Sequence, residues 1–125
     1  MLEDKEAVAT IAVKDLAVAR KFYEGTLGLK VASSNEPEAL TFKSGSSRVI
    51  VYRSQYAGTN KATAINWMVG SDLEKIVQGL GERGVAFERY DFPGVTRSGD
   101  VHAFGELKSA WLKDPDGNII ALMNQ

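Results

Sequence analysis

Ile11-Ala-Val-Lys-Asp-Leu16, then a helical stretch, then Leu27-Gly-Leu-Lys-Val31: this order is written a second time as Trp67-Met-Val-Gly-Ser-Asp-Leu73, a helical stretch, and Arg83-Gly-Val-Ala-Phe87. Asp15 and Asp72 stand 57 positions apart (72 − 15), and Gly28 and Gly84 stand 56 apart (84 − 28). Each copy reads strand, helix, strand. The duplication predicts a single domain over 1–125, with module one over about 1–57 and module two over about 58–125. Two such modules can face each other across a cleft.

The stretches around the repeat fill in the modules. Ala7 to Val13 is short, rich in β-branched residues and bounded by polar ones, which predicts a strand. Asp15 is placed to cap the following helix, whose apolar positions Leu16, Ala19, Phe22, Tyr23 and Leu27 recur at helical spacing. Gly28 is a helix stop. Leu29–Ser33, Ala39–Lys43 and Arg48–Arg53 predict three strands, broken by Asn35-Glu-Pro37 and by Ser44-Gly-Ser-Ser47. In the second copy Ala62–Val69 predicts a strand and Asp72 a cap. Leu73, Ile76, Val77 and Leu80 fit one helical face, and Gly84 is the stop. Val85–Asp91, Ala110–Lys113 and Asn118–Met123 follow as strands, the last two joined by a turn at Asp114-Pro-Asp-Gly117. Phe92 to Ser109, rich in Gly and polar residues, reads either as a short strand with a surface loop or as a functional loop over a site.

Composition narrows the function. The chain holds 15 Lys and Arg against 16 Asp and Glu, a net charge of −1, with no basic run. Nothing there attracts nucleic acid or an anionic membrane. With no Cys, disulfides, thiolate metal sites and cysteine nucleophiles are excluded. The N-terminus Met-Leu-Glu-Asp-Lys-Glu has no apolar signal region, and no apolar run reaches the roughly 20 residues that span a bilayer. A cytoplasmic protein is expected.

Val13-Lys-Asp-Leu16, Phe22-Tyr23, Leu27-Gly-Leu29 and Asp114-Pro-Asp-Gly-Asn118 together resemble the vicinal oxygen chelate superfamily. That superfamily takes in glyoxalase I, bleomycin-resistance proteins, fosfomycin-resistance proteins and extradiol dioxygenases. The resemblance implies an α+β fold of two βαβββ modules forming a curled mixed sheet around a cleft, commonly completed by dimerisation. It also implies where metal ligands would stand. These are Val8, five residues before the motif's Val13; about Val51; about Ile65, or Asn66 if the register slips by one; and Ala121, just before Leu122. Divalent metals need oxygen or nitrogen donors, and catalytic zinc sites typically use three protein ligands. Val, Val, Ile and Ala supply none, so no metal and no cofactor is expected.

His102 is the only histidine, beside Asp100 and Glu106. It is a weak catalytic candidate as a general base, set against the plainer reading of a solvated loop side chain. Asp114-Pro-Asp-Gly-Asn118 lacks the later ligands of a calcium loop and reads as a turn. No phosphate-cradling glycine motif is present.

Side chains alternate faces along a strand. With positions 8, 51, 65 and 121 facing the cleft, Thr10, Arg53, Trp67 and Met123 face it too, while Ile11, Val13, Ile120 and Leu122 fill the core. Thr10, Val51, Arg53, Ile65, Trp67, Ala121 and Met123, with Trp111 and Tyr90 at the rim, are therefore the candidate ligand-binding residues. Trp67 would stack on a planar ligand, or else pack against Met123. Arg53 would pair with a carboxylate. His102 and Phe104 are further rim candidates.

The reading that results is a glyoxalase- or bleomycin-resistance-like binding protein, not clearly an enzyme. It holds a small apolar or aromatic molecule in the inter-module cleft and forms a homodimer. The alternative is a lyase, isomerase or dioxygenase-type enzyme that uses His102.

Overall fold

The computed structural model describes residues 1–125, and the chain divides into two units, Met1–Thr59 and Asn60–Gln125. Each unit builds its own mixed sheet with a helix packed on it, an α+β architecture.

In the first unit β1 (Ala9–Val13) leads to α1 (Leu16–Arg20), and β2 (Lys30–Asn35), β3 (Ala39–Ser44) and β4 (Ser47–Arg53) follow. The sheet order is β1-β4-β3-β2, with β1 parallel to β4 and the other pairs antiparallel. Asp15 caps α1 as its sequence position requires. Its backbone is extended and its carboxylate accepts from the N–H groups of Ala17 (2.9 Å) and Val18 (3.2 Å). The helix loosens into a π turn over Lys21–Thr26, and Gly28, at φ 80°, supplies the left-handed residue that ends it. Leu16, Ala19 and Tyr23 are buried on the helix, and Ile11, Val13, Leu40, Phe42, Val49 and Val51 are buried on the strands. Tyr23 and Phe42 meet with ring centres 6.0 Å apart. Each large side chain withdrawn from water in this way stabilises the fold by about 1.5–3 kcal/mol.

In the second unit β5 (Thr63–Met68) reaches α2 (Leu73–Glu82) through a 3-10 turn at Gly70–Asp72. Then come β6 (Phe87–Glu88), β7 (Thr96–Ser98), β8 (Val101–Phe104), β9 (Leu107–Lys113) and β10 (Ile119–Met123). The order is β5-β10-β9-β8-β7, with β5 parallel to β10 and β6 paired to β9. Leu73, Val77 and Leu80 are the buried stripe of α2, and Gly84, at φ 90°, follows its end. Asp72 does not cap the helix. It sits inside the 3-10 turn and its side chain makes no capping bond. The strand expected over Val85–Asp91 shrinks to Phe87–Glu88, and Phe92–Ser109 is not an open loop, since it folds into the β7–β8 pair and the start of β9.

The turn at Asp114 is knit by its own side chain. Asp114 Oδ1 accepts from the N–H groups of Asp116 (2.9 Å) and Asn118 (2.8 Å), while Oδ2 accepts from the Asn118 amide (2.8 Å). Asp114 and Asn118 are buried, and their polar atoms are spent on holding β9 to β10. No helix is long and apolar enough to cross a membrane.

Candidate functional site

The strand register of the second unit decides which side chains share a face. Ile120 and Leu122 are buried with Ala110 and Leu112 on the side where α2 packs on β9. The alternate residues point the other way. Ala121 stands opposite Trp111 and beside Asn66, Met123 opposite Ser109, and Ser109 opposite His102. One extra residue of β5, at Ala64, shifts the pairing so that Thr63 joins Asn66 on this second face.

A cavity of ≈ 330 Å³ opens over that face. Ala121 and Ser109 form part of its wall, with Trp111, Met123, Leu107 and Val95 as apolar neighbours. Phe92 and Phe104, both exposed, stand among the lining residues. Thr63, Asn66, Ser109 and His102 are the polar lining groups, and no Lys, Arg, Asp or Glu is among them. The Asn66 amide donates to the Met123 thioether at 2.7 Å, a weak acceptor.

His102 is 2% exposed and lies on β8, not on a solvated loop. Its ring packs edge-on against Trp111 (4.9 Å, 79°) and beside Tyr90 (5.8 Å). Tyr90 in turn meets Trp111 at 5.4 Å and Phe92 at 5.5 Å. The backbone N–H of Tyr90 donates to His102 Nε2 at 2.8 Å. Nε2 therefore carries the lone pair, and in the neutral ring the proton sits on Nδ1. Nδ1 is buried and has no hydrogen-bond partner. Asp100 is engaged by Arg89 at 3.0 Å.

The structure sorts the residues singled out from sequence. Ala121, Met123, Trp111, His102 and Phe104 come together at the cavity, and Tyr90 backs Trp111 and His102 in the same aromatic cluster. Val51 does not face a site. It is paired with Ile11 and Leu40 and fully buried in the first unit's core, because β4 turns Val49 and Val51 toward α1 and leaves Ile50 and Tyr52 on the other side. Ile65 and Trp67 do not line this cavity either. They pair in register with Ile120 and Leu122 and are half-buried on the face away from the cavity, and the slipped alternative, Asn66, is the residue at the cavity. Thr10 is exposed on β1, its hydroxyl donating to the Val8 carbonyl at 3.2 Å. Arg53 pairs with Glu38 at 2.6 Å in a polar depression of the first unit shared with Lys14, Ser54 and Gln55. Sequence reading missed Thr63, Phe92, Val95, Leu107 and Ser109, although the alternation that selects Trp111 also selects Ser109 and Leu107.

The donor set does not fit a metal. Of the positions where the resemblance would put ligands, Val8, Val51 and Ala121 carry no donor, and Asn66 offers one neutral amide. Asp100, His102 and Glu106 do not assemble a site either, since no three His, Asp or Glu side chains converge anywhere in the chain.

Comparison with known proteins agrees with this architecture. The family described as "Glyoxalase/Bleomycin resistance protein/Dioxygenase superfamily" matches residues 7–122. No curated protein matches the chain in sequence. Among solved structures, a glyoxalase family protein from Enterococcus faecalis superposes with a TM-score of 0.73 at 21% identity, covering 98% of this chain and 99% of that one. A lactoylglutathione lyase from Agrobacterium tumefaciens gives 0.73 at 14% identity, covering 98% and 95%. The fosfomycin resistance protein FosX from Mesorhizobium loti gives 0.70 at 15%, covering 100% and 94%. At these identities the likeness is one of fold.

Proposed function

The chain belongs to the Glyoxalase/Bleomycin resistance protein/Dioxygenase superfamily, and we propose that within it this protein binds a small, largely apolar or aromatic molecule on the open sheet face of the second unit. The observation that carries this reading is the make-up of the cavity. It has ≈ 330 Å³ of space, a mostly apolar lining with Trp111 and Met123 in it, and four uncharged polar side chains. Small-molecule sites are of that size and composition, with few polar groups to fix orientation. The fold is shared with proteins named for handling small molecules, a lactoylglutathione lyase and a fosfomycin resistance protein, which supports the same broad role. The donor-poor ligand positions favour binding or sequestration over metal-assisted chemistry.

The two tryptophans make the test clean, since Trp111 lines the cavity and Trp67 lies on the opposite sheet face. Titration with an aromatic ligand such as 1-acetonaphthone is expected to perturb Trp emission in the Trp67→Phe variant and not in Trp111→Phe. Emission changes that follow Trp67, or none at all, sink the reading. Stoichiometric zinc, nickel, manganese or iron retained through purification would also count against it.

An enzyme using His102 as a base has less support, because the Nε2 lone pair that would take a proton already accepts from Tyr90 N–H. Turnover of any substrate that falls at least a hundredfold in His102→Gln would revive it. A homodimer belongs to the same proposal. Each sheet leaves its outer strands unpaired on one side, β1 and β2 in one and β5 and β7 in the other. Light scattering at micromolar concentration distinguishes dimer from monomer.

A further inference from the structure

We infer that the ligand is anchored by His102 Nδ1–H and therefore carries an uncharged hydrogen-bond acceptor, a ketone, amide, lactone or quinone oxygen, on a flat body of about two rings. This rests on the cavity reading above. The argument starts from Tyr90. Its backbone N–H occupies His102 Nε2 at 2.8 Å and so fixes the neutral tautomer with its proton on Nδ1. That donor is left without a partner in a residue 2% exposed. A buried polar group left unpaired is destabilising, and nearly all such groups in folded proteins are paired. His102 is also a lining residue of the cavity. A ligand entering the cavity would supply the acceptor that Nδ1 lacks. Phe92 and Phe104, 49% and 62% exposed, line the same cavity.

The rest of the lining sets the ligand's charge and size. No cationic side chain lines the cavity. A carboxylate or phosphonate seated there would be desolvated without a counter-charge, which is far less favourable than burying a carbonyl that finds one good donor. The volume of ≈ 330 Å³ is about twice the roughly 150 Å³ that accepts a single benzene ring. The Trp111 indole provides a flat apolar wall of matching size.

Three probes of one shape test this: 1-acetonaphthone, 1-ethylnaphthalene and 1-naphthoate. Calorimetry is expected to show the ketone binding about ten- to hundredfold more tightly than the hydrocarbon, as pairing a buried donor allows, with the naphthoate weakest. Because His102 is the only histidine, a long-range proton–nitrogen spectrum has one imidazole to report. Its Nδ1–H signal should move downfield with the ketone and stay in place with the hydrocarbon. In His102→Phe, ketone and hydrocarbon should bind alike. Should that variant not fold, the wild-type spectrum still carries the test. Equal affinity of ketone and hydrocarbon with an unmoved imidazole signal overturns the anchor and leaves the cavity reading standing. Tightest binding by the naphthoate overturns the uncharged acceptor. Binding by none of the three overturns both the anchor and the cavity reading.

Discussion

In the first unit the strand before the helix runs straight into its cap: Val13 ends β1, and Asp15 caps a helix that begins at Leu16. In the second unit a 3-10 turn intervenes, so that β5 ends at Met68, five residues before Leu73 (73 − 68), where β1 ends three before Leu16 (16 − 13). Both sheets begin alike, with a parallel pair followed by antiparallel neighbours, but the first has four strands and the second six. Side-chain direction has a period of two along a strand, so the position of a residue relative to the helix start decides its face. The helix-side residues Ile11 and Val13 lie an odd number of positions before Leu16, whereas Ile65 and Trp67 lie an even number before Leu73. The copies look alike in sequence and present opposite sets of side chains. One motif repeated twice in a chain thus specifies topology without specifying which side chains meet a ligand.

The largest expected effect lies in the sealed core of the first unit. Phe42→Ala should lower stability by about 3–5 kcal/mol, as for other large-to-small core changes, read from the midpoint of urea unfolding. A loss under about 1 kcal/mol would mean that Phe42 and Tyr23 are not the tightly packed pair described. Ala121→Leu at the cavity wall of the second unit should behave differently. It should weaken an aromatic ligand at least tenfold by filling space, with stability changed by less than roughly 2 kcal/mol. A variant that keeps full affinity would separate Ala121 from the binding face.

Smaller effects sharpen the contrast at the helix starts. Asp15→Ala should lose about 1 kcal/mol with its cap, while Asp72→Ala should be near neutral because its side chain caps nothing. Equal losses at the two positions would break the distinction between them. The smallest effect concerns Glu74 on α2. The Lys108 ammonium, hydrogen-bonded at 3.1 Å, holds its carboxyl below the usual carboxylate range. A carboxyl lowered on folding stabilises above its unfolded pKa, and that gain disappears as pH falls through the folded value. Glu74→Gln should therefore unfold slightly earlier than the parent at neutral pH and indistinguishably from it in acid, as followed by thermal melts at both. A difference that grows in acid would reverse the assignment.

Much of the fold could be read in the residues that act locally. Asp15 caps because a carboxylate two or three residues before free N–H groups satisfies them, and Gly28 and Gly84 end helices because their backbone goes left-handed. The alternation of the final strand was legible too, with Ile120 and Leu122 on one face and Ala121 and Met123 on the other, at the cavity. Val49-Ile-Val51 was not. An unbroken β-branched run carries no alternation to mark a face, and only its pairing with β1 and β3 fixes it. The Thr96–Phe104 hairpin was hidden for a related reason. Its strands are short and polar, and they are recognisable only through their cross-strand partners. With the hairpin went the burial of His102, since a lone imidazole between Gly and polar residues gives no sign that Tyr90 and Trp111 will close around it.

The parallel edge pairs also set an order of assembly. Antiparallel hairpins such as β3–β4 and β9–β10 join neighbours in the chain, but β1 must wait for β4 across 34 positions (47 − 13) and β5 for β10 across 51 (119 − 68). Closing long segments precedes the contacts that reward it, so distant pairings form late and slow the whole process. Refolding should thus register β9–β10 before β5, and β5 carries Asn66 and Thr63. The cavity acquires its last wall only when the chain has finished folding, which ties ligand binding to the completed native state and to no earlier one.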